Sequence, residues 1–133
     1  MKYLAALFLA AHGLIHASYL TPAPPATAGG PEWPFHMSRS WAVTAIGIDA
    51  GIVRAIGAAL VVAVVIGFVL AALSWLGWVV PAEWWPALAG ASSVASVLVL
   101  SLFFHPWILL GFAIDAVILW LVIGAGTTAT VSP

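Results

Sequence analysis

Residues 52–80 read IVRAIGAALVVAVVIGFVLAALSWLGWVV, with a single charged side chain, Arg54, near the start. Wound as a helix, this stretch has no polar face to offer water, so it must be enclosed by protein or lipid on every side. A membrane helix needs about 20 consecutive apolar residues. The run exceeds that requirement, and the helix is expected to tilt in the bilayer or project from it. Three more apolar segments, 3–20, 83–104 and 106–124, stand apart from it, bounded by Pro, Gly or charged residues. Their apolarity is continuous rather than alternating, which selects helices over the strands of a closed barrel.

Composition agrees. The chain has 133 residues, 65% hydrophobic and 5% charged, with mean hydropathy +1.20, whereas a soluble domain is about 25% charged. A fold surrounded by water is excluded on that ground. Four spans consume most of the length, so residues 1–133 are expected to form a single membrane domain. Three Lys/Arg against four Asp/Glu give no basic surface for phosphates, which excludes nucleic acid as a partner. The absence of cysteine removes disulfides, thiolate nucleophiles and thiolate metal sites.

The expected fold class is therefore an all-α integral membrane protein: an antiparallel four-transmembrane-helix bundle with one longer Pro/Gly/Trp-containing loop, 21–51, between helices 1 and 2. Short connections elsewhere make sequential helices antiparallel neighbours. Lys2, an apolar core and then TPAPPATAGG imitate a secretory signal with its cleavage region; we read the segment as the first membrane helix. Residues 40–48 are expected to form either a short interfacial helix or an early extension of helix 2, and Asp49 to cap the helix that follows. Pro81 is expected to stop helix 2, and Pro106 to sit in the first turn of helix 4, where its missing N–H costs nothing.

Let side A be the membrane face that carries the N-terminus. Four spans then place Trp75, Trp78, Trp84, Trp85 and Trp120 near side A and Trp33, Trp41 and Trp107 near side B, as the aromatic belts of a membrane protein require. The lipid bilayer is the expected partner, with a homo-oligomer or a larger membrane complex as further options. The expected location is a cell membrane, of bacterial inner-membrane type, with both termini cytoplasmic; Lys2 and the terminal amine on side A nearly balance Arg39 and Arg54 on side B.

The same layout assigns depths. His12 lies eight residues before Leu20, or ~12 Å deep from side B, and Asp115 nine residues after Pro106, or ~13 Å deep from the same side. Ser96 reaches that level from helix 3, and His16 lies one turn nearer side B. Side A keeps only Lys2 and Glu83. Ionisable groups in a membrane cost about 2.5–3.5 kcal/mol each on insertion scales, so they turn towards protein or water and mark candidate sites. At about 100° per residue, Ala5, Leu9, His12, His16 and Tyr19 form one stripe of helix 1 and Ala6, Ala10, Gly13 and Ala17 another. The small stripe suits close helix contact, as does Gly47-x-x-x-Gly51. Gly111, one turn before Asp115, leaves room beside the carboxylate.

His12, His16, Asp115 and Ser96 are thus the candidates for binding a ligand or proton, with His36, Arg39, Asp49, Arg54 and His105 at the mouth of the pocket. Two histidines at i, i+4 have the geometry for sharing a metal ion, with a third ligand from Asp115, His36 or His105; the competing reading is a set of hydrogen bonds that fixes helix register. Haem is disfavoured, because two rings on one helix face cannot ligate both sides of an iron. Ser92, Ser93 and Ser96 lack any nucleophile elbow. Three functions follow. The first is a polar intramembrane pocket that binds or translocates a small molecule, metal ion or proton. The second is an accessory subunit in which the polar groups only lock register. The third, an enzyme acting on a lipid-soluble substrate, is the least favoured. The four-span layout resembles small multidrug transporters, but those depend on a carboxylate in helix 1, where this chain carries histidines; the His12-Gly13 pair resembles DoxX-like proteins, but two residues cover too little to carry a function over.

Overall fold

The structure, a computed structural model, describes residues 1–25 and 28–129. Among them there are helices and turns and no strand. Helix α1, Lys2–Ile15, continues through a tighter turn, His16–Leu20. The short α2, Trp41–Ile46, precedes the longest helix, α3, Ala50–Leu76. Helix α4, Trp85–Leu102, and helix α5, Leu109–Ala129, each begin after one turn of tighter helix, Ala82–Trp84 and Pro106–Ile108. Four segments are long and apolar enough to cross a membrane: Lys2–Leu20, Ala50–Leu76, Ala82–Leu102 and Pro106–Gly124. Residues 26 and 27 of the Pro/Gly loop and 130–133 at the C-terminus lie outside the described residues.

Side-chain caps start α2, α3 and the turn before α5. The Asp49 carboxylate accepts from the N–H groups of Gly51 and Ile52 at 2.8 and 3.0 Å, satisfying two amides that a helix start leaves orphaned. The Ser40 hydroxyl accepts from Ala42 N–H at 3.3 Å and so caps α2 within the expected 40–48. Pro106 lies in the first turn after His105, as expected, and His105 Nδ1 accepts from Trp107 N–H at 3.2 Å.

Two expectations about helix ends need correction. Helix α3 stops at Leu76, not at Val80 before Pro81. Gly77 takes the left-handed conformation, φ +72°, and the N–H groups of Gly77 and Trp78 turn back to Ser74 and Leu73 carbonyls at 2.8 and 2.9 Å; this glycine cap satisfies the last carbonyls before the proline is reached. Likewise Gly47 ends α2 at φ +77°, and a Cβ there would meet nothing within 4 Å. Gly47 and Gly51 are thus not a helix-contact motif: one ends a helix and the other lies beside the Asp49 cap.

The small stripe of α1 does make the close contact it promised. A Cβ on Gly13 would fall 2.6 Å from Cβ of Phe68, so α1 and α3 approach with only a hydrogen between them at that point. Lys2 Nζ donates to the Leu76 carbonyl at 2.9 Å and Trp75 Nε1 to the Lys2 carbonyl at 3.2 Å, placing the start of α1 beside the end of α3. The most buried apolar side chains, including Val61, Val64, Phe68 and Ala71 of α3 and Ala89 and Val99 of α4, mark these two helices as the centre of the packing. Close packing runs α1 to α3, α3 to α4 and α4 to α5, whereas α1 and α5 have little close backbone approach. That seam is where the polar side chains gather.

Candidate functional site

Four buried polar side chains from three helices form one connected set. His12 Nε2 of α1 lies 2.9 Å from Oδ1 of Asp115 on α5. The other carboxylate oxygen, Oδ2, is 2.5 Å from Ser96 Oγ of α4, and the same hydroxyl is 2.8 Å from His16 Nε2. The chain closes on itself where His16 Nδ1–H donates to the His12 backbone carbonyl at 3.0 Å, one helical turn back. Relative exposures of 6% and 2% for His12 and His16, and 0% for Ser96 and Asp115, put the set out of reach of bulk solvent. Polar groups so placed must find partners within the protein.

Periodicity and packing explain how the chain brings them together. The i, i+4 spacing stacks the two imidazoles on one face, with ring centroids 5.4 Å apart and edge to face. Phe68 of α3 supports the His12 ring from the side at 4.9 Å, also edge to face, and it is the residue against which Gly13 lets α1 settle. The glycine next to His12 therefore helps set how far the imidazole reaches towards α5. The depth match read from the sequence is realised: His12, Asp115 and Ser96 meet at one level, with His16 joined through Ser96.

A cavity of about 140 Å³ opens against His12 and His16 on the side-B half of the seam, walled by Phe35, Leu100, Trp107, Ile108, Gly111 and Ile114 among others. Its wall is apolar apart from the imidazoles. Gly111 lies on that wall, and a Cβ there would stand 2.9 Å from Leu100 Cδ1, so the glycine permits α5 to close on α4. On the side-A half of the seam lies a second, almost entirely apolar cavity of about 250 Å³, bordered by Phe8, Leu9, Trp85 and Ile118 among others. The polar set is a bridge between two gaps.

None of the mouth candidates lines the first cavity. His36 and Arg39 border a surface groove in the loop with Glu32 and Trp33, where Arg39 pairs with Glu32 at an exposed position. Asp49 and His105 act as helix caps, and Arg54 is exposed on α3. Among the described residues no three His, Cys, Asp or Glu side chains converge as a metal ion's ligands would. His16 spends both nitrogens, and His12 its Nε2, on hydrogen bonds within the protein. In the structure the i, i+4 pair therefore hydrogen-bonds within α1 and across to α4 and α5.

Sequence reasoning missed the aromatic wall. Phe35 reaches the cavity because Tyr19, on the histidine stripe, holds it edge to face at 5.1 Å, and Trp33 packs against it, also edge to face, at 5.3 Å. The signal was the Trp33-Pro34-Phe35 cluster in an otherwise Pro/Ala/Gly loop. Tyr19 Oη, Trp33 Nε1 and Ser93 Oγ are buried with no hydrogen-bond partner among the described residues. Comparison with protein-family models, with curated proteins and with solved structures finds no match.

Proposed function

We propose that this chain is an antiparallel four-helix bundle inserted in a cell membrane and that it binds a small, largely apolar molecule in the side-B half of the α1–α5 seam. Insertion is supported by the outer surface, where Leu7, Ile52, Ile66, Leu110, Trp120 and Ile123 are all exposed; an apolar surface on this scale belongs in lipid, not water. The antiparallel order is supported by the contact of the start of α1 with the end of α3. We read both termini as lying on one side, from the even number of spans, and take that side as the cytoplasm and the membrane as of bacterial inner type.

One observation carries the binding reading: a cavity of about 140 Å³ whose apolar walls converge on two hydrogen-bonded imidazoles. That volume is near the ~150 Å³ of an engineered apolar cavity that admits benzene. Pockets that combine an apolar lining with a few fixed polar groups are the common form of small-molecule site. Ile15 of α1 and Leu110 of α5 line the cavity and are also exposed, so a ligand dissolved in the bilayer can enter sideways between the two helices. Binding is favoured over translocation because the buried, hydrogen-bonded set of His12, Asp115, Ser96 and His16 stands between this cavity and the one bordered by Leu9 and Ile118.

The test uses phenol, a ring with one hydroxyl, titrated into protein in lipid nanodiscs while the ¹⁵N signals of His16 are followed. A saturable shift is expected in the wild type. Ile15→Trp, which fills the cavity from its exposed rim without touching any bond of the polar set, should abolish it. An absent or non-saturating response in the wild type, or an unchanged one in Ile15→Trp, would overturn the binding reading.

A further inference from the structure

The hydrogen bonds among His12, Asp115, Ser96 and His16 can be counted against the protons available to make them. His16 Nδ1 faces a backbone carbonyl at 3.0 Å, which only accepts, so that nitrogen carries a hydrogen. Three side-chain contacts remain: His12 Nε2 with Asp115 Oδ1, Asp115 Oδ2 with Ser96 Oγ, and Ser96 Oγ with His16 Nε2. Each needs one proton. With both imidazoles neutral and the carboxylate ionised, His12 supplies one from Nε2–H and Ser96 supplies one from its hydroxyl, while His16 has none left at Nε2. Two protons serve three bonds, and the unit carries a net negative charge inside the membrane.

One more proton cures both defects. Placed on Asp115 Oδ2, it is donated to Ser96 Oγ, and the Ser96 hydroxyl then donates to His16 Nε2. Placed on His16 Nε2, it is donated to Ser96 Oγ, and the hydroxyl donates to the Asp115 carboxylate. In both arrangements every bond is made and the net charge is zero, which a low-dielectric interior favours over a lone buried charge. They interconvert by two short moves: the Asp115 Oδ2 proton passes to Ser96 Oγ as the Ser96 proton passes to His16 Nε2. A neutral acid and imidazole become a carboxylate and an imidazolium, and no atom is gained or lost.

We propose that the four side chains hold one shared proton, carried by Asp115 or His16 and moved between them through the Ser96 hydroxyl. Loss of this proton costs the unit one bond. The carboxylate then keeps its two donors, His12 and Ser96, and the His16–Ser96 link opens next to the cavity. The surroundings add no further charge. Helix α3 faces the set with Phe68, α4 with Ser96 and α5 with Asp115. Of the other titratable side chains towards side B, Tyr19 makes no hydrogen bond, His105 caps the turn before α5, Arg39 pairs with Glu32, Asp49 caps α3, Arg54 is exposed on α3 and His36 borders the loop groove. The proposal goes beyond the pocket reading and is tested without a ligand, so either can fail alone.

The experiment measures two signals in ligand-free protein in lipid nanodiscs across a pH series. Infrared spectroscopy reads the carbonyl band of a protonated carboxylic acid, assigned by its loss in Asp115→Asn, and ¹⁵N NMR reads imidazolium at His16, assigned by its loss in His16→Gln. At neutral pH the acid fraction and the His16 imidazolium fraction should sum to one, and both should vanish in a single step as pH rises. An ionised Asp115 beside two neutral imidazoles at neutral pH, or a sum near two, overturns the proposal. Ser96→Ala should split the single step into two independent ones and Ser96→Thr should restore it; a titration unchanged in Ser96→Ala overturns transfer through the hydroxyl. The count in the wild type needs no variant and decides the shared proton alone.

Discussion

The bond between His12 and Asp115 makes a quantitative prediction, because it joins two helices that have little other close approach. Changing His12→Phe keeps a planar ring against Phe68 but leaves Oδ1 of a carboxyl at 0% exposure without its donor, a loss of about 1–3 kcal/mol for one buried unsatisfied group. Changing Asp115→Leu strands His12 Nε2–H, while the Ser96 hydroxyl keeps His16 Nε2 as a partner, and about 1–3 kcal/mol is expected on the same scale. In the double variant the stranded His12 donor and Asp115 acceptor are both gone, so the two losses should not add. Interhelical hydrogen bonds in membrane proteins average ~0.6 kcal/mol in such cycles, with a maximum near 1.7. Full burial of both partners places this pair towards the upper end, at about 1.5 kcal/mol, or roughly tenfold in the unfolding equilibrium. The assay is unfolding by sodium dodecyl sulfate in mixed micelles, followed by far-ultraviolet circular dichroism, for wild type, both single variants and the double. Single losses that add within about 0.3 kcal/mol, as those of distant sites do, would refute the bridge as a coupling element.

Other perturbations have equally direct readouts. Gly13→Ala forces a Cβ to within 2.6 Å of Phe68 Cβ and should destabilise the same unfolding equilibrium by about 1–3 kcal/mol; it should also weaken the His12–Asp115 coupling, since Phe68 braces the imidazole. Asp49→Ala removes both cap bonds of α3 and is expected to lose about 1 kcal/mol, with most of it recovered in Asp49→Asn, while phenol binding stays at the wild-type level. Arg39→Ala breaks an exposed pair with Glu32 and should leave the unfolding midpoint unmoved within error, because solvent and salt screen such a pair.

Much of the architecture was legible because its causes are local. Apolar runs of sufficient length mark the four helices long enough to cross a membrane, Asp49 and Ser40 announce helix starts by their side-chain chemistry, and Pro106 suits a first turn. The misread end of α3 shows the limit. Gly77 and Pro81 both punctuate, and the choice between them depended on whether the amides after Leu76 could fold back onto Leu73 and Ser74 carbonyls. The Gly47-x-x-x-Gly51 spacing likewise fits a helix contact in sequence, and became a cap because Gly47 adopts positive φ.

The candidate site divides the same way. Sequence alone determined that His12 and His16 share a face, that Asp115 and Ser96 lie at the same depth, and that these groups cannot face lipid unpaired, since helical rise and the cost of buried polarity are properties of the chain. Only the tertiary structure decided which atoms pair. Packing of Gly13 on Phe68 sets how far His12 projects, and the weak approach of α1 to α5 leaves space that the imidazoles and an aromatic loop enclose as a cavity. Distances between helices depend on how side chains interlock across elements far apart in sequence, and no periodicity within one element contains them.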